Sequence, residues 1–215
     1  TGGESVAREM DLLMSCGEII SAVTFSAALR AESISSVVLT GGQAGIVTDD
    51  RFGNASIASL DPKPILECLD RVQVVVVTGF QGRTPSGDIT TLGRGGSDTT
   101  AAALGAALRA EFIDIFTDVD GVLTADPRVV KEARRLSWIS YHEICNLAYN
   151  GAKVIHPRAV EIAMQGNVPI RIRSTFTTDE GTLVTSVPQR TEKVHDRYVT
   201  GIAHVPGLAQ IQVSS

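Results

Sequence analysis

The pattern of apolar and polar positions divides the chain into alternating strands and helices. Short apolar runs rich in β-branched residues predict buried strands at Val74–Val77 and Phe112–Thr117, and another at Ser36–Thr40. Between the strands Val74–Val77 and Phe112–Thr117 lies a glycine-rich segment, followed by the alanine-rich run Ala101–Leu108. This order is typical of a loop followed by a helix. Strand, helix and strand in this order form a crossover that joins parallel strands. The pattern therefore predicts an α/β fold.

The long N-terminal helix is predicted from its 3.6-residue periodicity. In Ser5–Ala31, apolar and small residues recur at helical spacing in a stripe suited to close packing: Met10, Leu13, Met14, Gly17, Ile20 and Ser21. Shorter helices are expected at Pro62–Arg71, Ser140–Tyr149 and Pro157–Gln165. The second of these begins with Ser140 and Glu143 in the spacing of a capping box.

The remaining strands are short. Alternation and turn residues predict an edge strand at Ile57–Leu60 and a tight hairpin at Gly82–Ile89. Further strands are expected at Ile46–Thr48, Val168–Arg173, Thr182–Val184, Val199–Ala203 and Leu208–Val213. They complete a chain in which strands and helices alternate, as in layered α/β domains.

Composition narrows the class of protein. The chain has 215 residues, 43% hydrophobic and 20% charged, with a net charge of −5. Such a balance is typical of a globular protein. The negative net charge and the lack of a basic stripe in the sequence argue against nucleic-acid binding. No uninterrupted apolar run approaches the ~18 residues of a membrane span, so no membrane partner is expected. Three widely spaced cysteines fit neither a zinc site nor a disulfide framework and favour a reducing cytoplasm with buried thiols.

Gly93–Asp98 has the features of an anion-binding loop. Its glycines permit a tight turn and a close approach to a ligand, and the following helix points its N-terminal dipole at the loop. Arg94 adds a planar fork suited to a carboxylate or phosphate. The alternative is an ordinary loop with a capped helix, since Ser97 and Asp98 are good N-cap residues.

An acidic cluster follows the strand Phe112–Thr117. The cluster begins where that strand ends and consists of Asp118, Asp120 and Asp126, with Arg128 after them. This is the expected place for a site, because ligands of open parallel sheets bind at the carboxyl ends of strands. Carboxylates there can orient Mg²⁺, and Arg128 can neutralise phosphate. The alternative is that Asp-Gly and Asp-Pro simply form turns. We favour this for Asp120 and favour function for Asp118 and Arg128.

Three motifs carry a resemblance to a known family. They are T-L-G-R-G-G-S-D at 91–98, T-D-V-D-G-V-L-T-A-D-P-R at 117–128 and G-A-K-V-I-H-P at 151–157. In this order and spacing they resemble the amino-acid kinase family, and within it the aspartate kinases. The resemblance implies a carbamate-kinase-like, three-layer α/β/α sandwich with a mostly parallel sheet. It also implies ATP-dependent phosphorylation of the β-carboxylate of L-aspartate, the first step of lysine, threonine and methionine biosynthesis, with Mg²⁺ and in the cytoplasm.

The same resemblance assigns roles to individual residues. Glu18 would pair with the amino group of aspartate, Arg94 would contact its carboxylate, and Asp98 would organise the loop and cap the helix. No protein side chain is assigned as a metal ligand. The nucleotide would be surrounded by a second group of residues: Thr117, Asp118, Leu123, Arg128, Lys153 and Val154.

The resemblance also implies a domain division. Residues 1–186 would form the kinase domain without its first part, 187–198 a linker, and 199–215 the start of an ACT regulatory domain that mediates homo- or hetero-oligomers and feedback inhibition. Nothing in the chain matches the family's initial Lys-x-Gly-Gly-Thr-Ser segment, and Ser56 stands where most aspartate kinases have arginine. Two alternatives stay open: another amino-acid kinase such as glutamate 5-kinase, or a non-catalytic nucleotide- or amino-acid-binding fragment.

Overall fold

A computed structural model describes residues 2–152, 154–186 and 199–204. Its helices are α1 (Gly2–Ala31), α2 (Lys63–Leu69), α3 (Gly96–Ala107), α4 (Tyr141–Tyr149) and α5 (Pro157–Gly166). Its strands are β1 (Ser36–Leu39), β2 (Ile46–Thr48), β3 (Ile57–Leu60), β4 (Val74–Val77), β5 (Gln81–Arg83), β6 (Ile89–Thr91), β7 (Ile113–Thr117), β8 (Trp138–Ser140), β9 (Ile170–Ser174) and β10 (Thr182–Thr185). The predicted α/β class is confirmed. The chain forms two compact units, which divide between Ile113 and Asp114.

The first unit contains two sheets. β1 and β4 pair in parallel, with Ser36 opposite Val74, and a mixed four-stranded sheet has the order β3-β2-β5-β6. β3 is the edge strand, as predicted, and β5 and β6 form the predicted hairpin. The residues of β4 are only half-buried rather than fully buried as expected. The described partner of β4 is β1 alone, which leaves its other edge without a strand from the described part of the chain.

The second unit is built on a sheet of order β7-β9-β10-β8. The predicted crossover therefore connects two sheets, because β4 belongs to the first unit and β7 to this one. Arg171 of β9 joins Asp114 of β7 through two hydrogen bonds of 2.6 Å, which fix the outer faces of these strands together. The sequence did not predict β8, which is only three residues long. The capping box of α4 is present, with Ser140 and Glu143 bonding reciprocally.

Helix α1 buries the opposite face from the one predicted. The apolar stripe is exposed: Met10, Leu13, Met14 and Ile20 keep 47%, 64%, 48% and 68% of their surface in solvent. The buried stripe is largely polar and includes Asp11, Ser15 and Ser26, each at most 2% exposed. The physical reason is that α1 packs on the hairpin strand β6 and on β1, where polar groups need partners. Hydrogen bonding, rather than apolar burial, selects this face.

The same helix is long and apolar enough to cross a membrane when hydropathy is averaged. An 18-residue window within Val6–Ala31 has a mean hydropathy of 1.7, although the chain has no long uninterrupted apolar run. One such helix near an N-terminus is weak evidence of a membrane span. The core helix of a soluble protein and a signal sequence can be equally long and apolar. Here Asp11, on its buried stripe, accepts hydrogen bonds from other parts of the first unit.

Three local expectations are corrected or fall outside the described residues. Residues 199–204 form no strand, and 208–213 lie outside the described part of the chain. The cysteine thiols were expected to be buried, but Cys16 is exposed and Cys68 and Cys145 are half-exposed. All three are free, as expected.

Candidate functional site

The glycine loop between β6 and α3 has a backbone that only glycine adopts readily. Gly93 and Gly95 have φ values of +70° and +71°. A Cβ on Gly93 would lie 2.6 Å from Oδ1 of Asn54, so the loop also packs closely against a neighbouring loop. Arg94, between the two glycines, is exposed. The loop thus presents one guanidinium to solvent from a tightly constrained turn.

Helix α3 begins earlier than the sequence suggested. Its N-cap is Gly95 in the left-handed region, and its first residue is Gly96. Ser97 and Asp98 are therefore in the first turn, and the prediction that they cap the helix is wrong. A residue with positive φ turns the chain into the helix, so a side-chain cap is not used here. Asp98, in that first turn, is placed favourably for the helix dipole.

Hydrogen bonds hold the glycine loop on both sides. Before it, the N–H of Leu92 donates to the carbonyl of Phe80 at 2.9 Å. After it, the Thr99 hydroxyl donates to the carbonyl of Gly95 at 2.9 Å. The Thr100 hydroxyl donates to the carbonyl of Gly96 at 2.8 Å and accepts the N–H of Phe80 at 3.1 Å. The protein's own hydrogen bonds therefore fix the backbone on both sides of the loop.

Asp11 connects this loop to the neighbouring one. Its carboxylate accepts the N–H of Gly53 at 2.9 and 3.0 Å, the N–H of Thr91 at 2.8 Å and the Thr91 hydroxyl at 2.7 Å. The carbonyl of Thr91 in turn accepts the N–H of Ala55 at 2.8 Å. Helix α1, the 50–55 loop and the start of the glycine loop are thereby tied at one buried carboxylate.

Glu18 lies on the polar stripe of α1, seven residues after Asp11. Asp11, Ser15 and Glu18 have the spacing i, i+4 and i+7, which places them on one face of the helix. Glu18 is half-exposed. It belongs to the same unit as Arg94, so the first unit carries both residues predicted to bind the amino acid. A carboxylate and a guanidinium are the groups that complement the ammonium and carboxylate of an α-amino acid.

The predicted nucleotide residues that the structure describes all belong to the second unit. Thr117 ends β7, its carbonyl accepts the N–H of Thr175 at 2.8 Å, and its hydroxyl lies 3.1 Å from the carboxylate of the exposed Asp118. Leu123 forms an isolated antiparallel bridge with Arg135. Val154 is half-exposed before α5, and Lys153 lies outside the described residues.

Arg128 is held by Asp126 in a forked ion pair. The guanidinium donates to both carboxylate oxygens, with Nη2 to Oδ2 at 2.8 Å and Nε to Oδ1 at 3.0 Å, and the Arg128 backbone N–H adds a bond of 2.9 Å. These contacts lower the pKa of Asp126 from 3.8 to about 2. The Arg128 side chain is still 88% exposed, so its guanidinium remains accessible from solvent while Asp126 holds it.

Residues 199–204, which belong to the second unit, contact its residues Thr124 and Glu143. The N–H of Ile202 donates to the carbonyl of Thr124 at 2.9 Å, and the Thr200 hydroxyl donates to Glu143 at 2.5 Å. Between this segment and α4 lies a cavity of about 440 Å³. None of the described residues predicted to bind nucleotide lines it. No group of three or more His, Cys, Asp or Glu side chains suited to a metal occurs among the described residues.

The comparisons with known proteins identify the family. Residues 2–174 match the sequence model of the amino acid kinase family. The chain belongs to the amino acid kinase family. This confirms the resemblance drawn from the three motifs.

The relatives to which the chain is similar include several aspartokinases. Aspartokinase 1 of Bacillus subtilis is 57% identical over 208 residues, which are 96% of this chain and 52% of that protein. The aspartokinase of Geobacillus stearothermophilus is 53% identical over 177 residues, 82% of this chain and 44% of that one. The crystal structure of Escherichia coli aspartokinase III with aspartate and ADP superposes with a TM-score of 0.78 at 37% identity, covering 87% of this chain and 42% of that chain. The chain spans about half the length of these relatives.

Sequence reasoning missed the hydrogen bonds by which Asp11 holds Thr91 at the start of the glycine loop. The signal was available in the polar spacing of Asp11, Ser15 and Glu18 on α1, but the apolar stripe on the same helix was stronger. Asp11 bonds Thr91 across 80 positions of the chain, and no local pattern predicts a pairing at that distance.

Proposed function

We propose that this chain is the kinase portion of an aspartate 4-phosphotransferase, which uses ATP to convert L-aspartate into 4-phospho-L-aspartate. The observation that carries the proposal is the preorganised glycine loop, which presents Arg94 in the unit that also holds Glu18. The aspartokinase relatives and the solved complex of one of them with aspartate and ADP support the same substrates. The reaction would join an oxygen of the β-carboxylate to the γ-phosphorus and break the bond to ADP.

In this proposal the first unit binds the acceptor. Glu18 accepts hydrogen bonds from the ammonium of aspartate, and Arg94 donates to its α-carboxylate. The β-carboxylate is then left free to attack. Catalysis of this kind depends on positioning and on charge neutralisation, and a rigid loop supplies the first of these.

The second unit binds the nucleotide. Thr117, Asp118 and Leu123 would surround it, with Val154 and Lys153 approaching from another element, and Arg128 would neutralise phosphate. Mg²⁺ would supply further charge neutralisation on the transferring group. Such an ion would be held mainly by phosphate oxygens and water, near the exposed Asp118.

The test is trapping of the acyl phosphate with hydroxylamine in the presence of ATP and Mg²⁺. Aspartate is compared with glutamate, in this chain and in a form that carries the family's Lys-x-Gly-Gly-Thr-Ser segment at its N-terminus. We expect hydroxamate from aspartate and a rate higher by about 10²–10³ in the extended form, since the lysine would stabilise the transferring phosphoryl group. Equal rates for the two forms would contradict the role of that segment.

The two rival functions give different outcomes in the same assay. Turnover of glutamate but not aspartate would favour a glutamate 5-kinase. ATP binding without turnover of either acceptor in the extended form would favour a non-catalytic binding module.

Location, assembly and regulation extend the proposal. We place the protein in the cytoplasm, consistent with its three free thiols and with the biosynthetic role of an aspartokinase. The predicted division into kinase domain, linker and the start of an ACT domain implies oligomers and feedback inhibition through the ACT domain. Of the predicted start of the ACT domain, residues 199–215, the structure describes 199–204. This segment contacts Thr124 in the loop that carries Arg128.

A further inference from the structure

We propose that Asp11 is a positioning residue for the acceptor site and sets the orientation of Arg94 through the glycine loop. This inference rests on the proposed function, because Arg94 is taken as the acceptor-binding arginine. Asp11 is 1% exposed and lies on α1, seven residues before Glu18. It therefore sits on the helix face that carries the other proposed acceptor residue.

Asp11 uses both oxygens of its carboxyl group as hydrogen-bond acceptors. The four hydrogen bonds that it accepts come from two N–H groups and one hydroxyl, on Gly53 and Thr91. All of these groups donate, so both oxygens must be acceptors. Because the N–H of Gly53 contacts both oxygens, an amide of the same shape would place its NH₂ group against that N–H in either orientation and weaken this contact.

Both partners of Asp11 lie beside the loop that carries Arg94. Thr91 ends β6, three residues before Arg94. Gly53 is adjacent to Asn54, whose side chain packs so closely on Gly93 that a Cβ there would lie 2.6 Å from it. Asp11 thus fixes the strand that leads into the loop and the loop that packs on it. Displacement of either would move the guanidinium of Arg94.

A purely structural role would predict a different result from a positioning role. Loss of a buried polar bond on α1 lowers the melting temperature wherever it occurs on the helix. Ser26 offers a matched control, since it is 2% exposed on the same helix and bonds Ser36 at 2.8 Å, away from the glycine loop. If Asp11 has a positioning role, its substitution weakens binding of the acceptor and leaves binding of the nucleotide unchanged.

The test compares Asp11→Asn with Ser26→Ala in the 215-residue chain, well below the melting temperature of either variant. We expect Asp11→Asn to raise the Kd for L-aspartate about tenfold or more, the effect of losing a hydrogen bond to a charged group, and to leave the Kd for ADP within about twofold. Amides of residues 91–96 should also exchange with deuterium at least about tenfold faster before any ligand is added. Ser26→Ala should change neither quantity.

Thr91 provides the conservative rescue. Thr91→Val removes the hydroxyl donor and should weaken aspartate binding, whereas Thr91→Ser keeps it and should stay within about twofold of the unmodified chain. Unchanged exchange at 91–96 in Asp11→Asn, or equal effects of Ser26→Ala, would overturn the positioning role. Faster exchange in Asp11→Asn together with no aspartate binding by the unmodified chain would support the contact and overturn the proposed substrate.

Discussion

Arg94 is the residue on which the acceptor assignment depends. It is exposed between two glycines whose positive φ values constrain it, and it lies three residues after Thr91. Its position in a turn was predictable from the glycines alone, whereas the hydrogen bonds that come from Phe80 and Asp11 to the start of the turn were not. Local sequence specifies the conformation, and distant residues specify its rigidity.

The first prediction concerns substrate selectivity. Arg94→Ala should raise the KM for aspartate about 10-fold or more and change the KM for ATP little, because a charged hydrogen bond is worth about 1.5–3 kcal/mol. Arg128→Ala should show the opposite bias. Steady-state kinetics on the extended form measure both constants, with Arg71→Ala in the exposed turn after α2 as control. Equal effects of Arg94→Ala on both substrates would remove Arg94 from the acceptor site.

A second prediction follows from the ion pair of Asp126. The pKa of this carboxyl is lowered to about 2, below the ordinary value of 3.8, chiefly by the hydrogen bond from the Arg128 side chain. The ion pair is therefore fully formed above the ordinary value and is lost as the pH falls through about 2. In a titration followed by NMR, Asp126 should remain mostly ionised at pH 3, and Arg128→Ala should return its midpoint towards the ordinary value. The same midpoint in both proteins would show that Arg128 does not hold the carboxyl.

At the scale of elements, helix α1 shows where periodicity misleads. The 3.6-residue pattern correctly predicted a helix that ends at Ala31, and this part of the prediction needs only local spacing. The choice of face was wrong, because this face carries groups that bond strands distant in sequence. The Asp11 carboxylate accepts from β6, the Ser15 backbone carbonyl accepts from Gln81 of β5, and the Ser26 hydroxyl bonds Ser36 of β1. Residues 140–149 show the opposite case, since a capping box between Ser140 and Glu143 is complete within four residues and was predicted in full.

A third prediction follows from the burial of the polar stripe of α1 and the exposure of its apolar stripe. Leu13→Gln should change the free energy of unfolding of the 215-residue chain by no more than about 0.5 kcal/mol, because Leu13 is 64% exposed. Ser15→Leu should destabilise by about 1–3 kcal/mol, since Ser15 is fully buried and a larger side chain overpacks the site. Urea unfolding of both variants measures the difference. A larger loss in Leu13→Gln would mean that the apolar stripe is covered.

At the scale of the whole molecule, the chain separates the two halves of the proposed chemistry. Residues predicted to bind the acceptor, Glu18 and Arg94, lie in the first unit, and the described nucleotide residues lie in the second. The family and the α/β class could be predicted because three motifs survive as contiguous segments. The division at Ile113 could not, since it depends on which strands pair, and β4 pairs with β1 while β7 joins β9. Pairing of this kind is a property of the folded chain and not of any one strand.

The most direct test of the central claim is a crystal structure of the chain with L-aspartate and ADP bound. The account predicts the α-carboxylate of aspartate on the Arg94 guanidinium, its ammonium on the Glu18 carboxylate, and the ADP phosphates within reach of Arg128. The Asp11 carboxylate should keep its bonds to Gly53 and Thr91 in that complex. Aspartate bound away from Arg94 and Glu18, or ADP bound away from residues 117–128, would contradict the account.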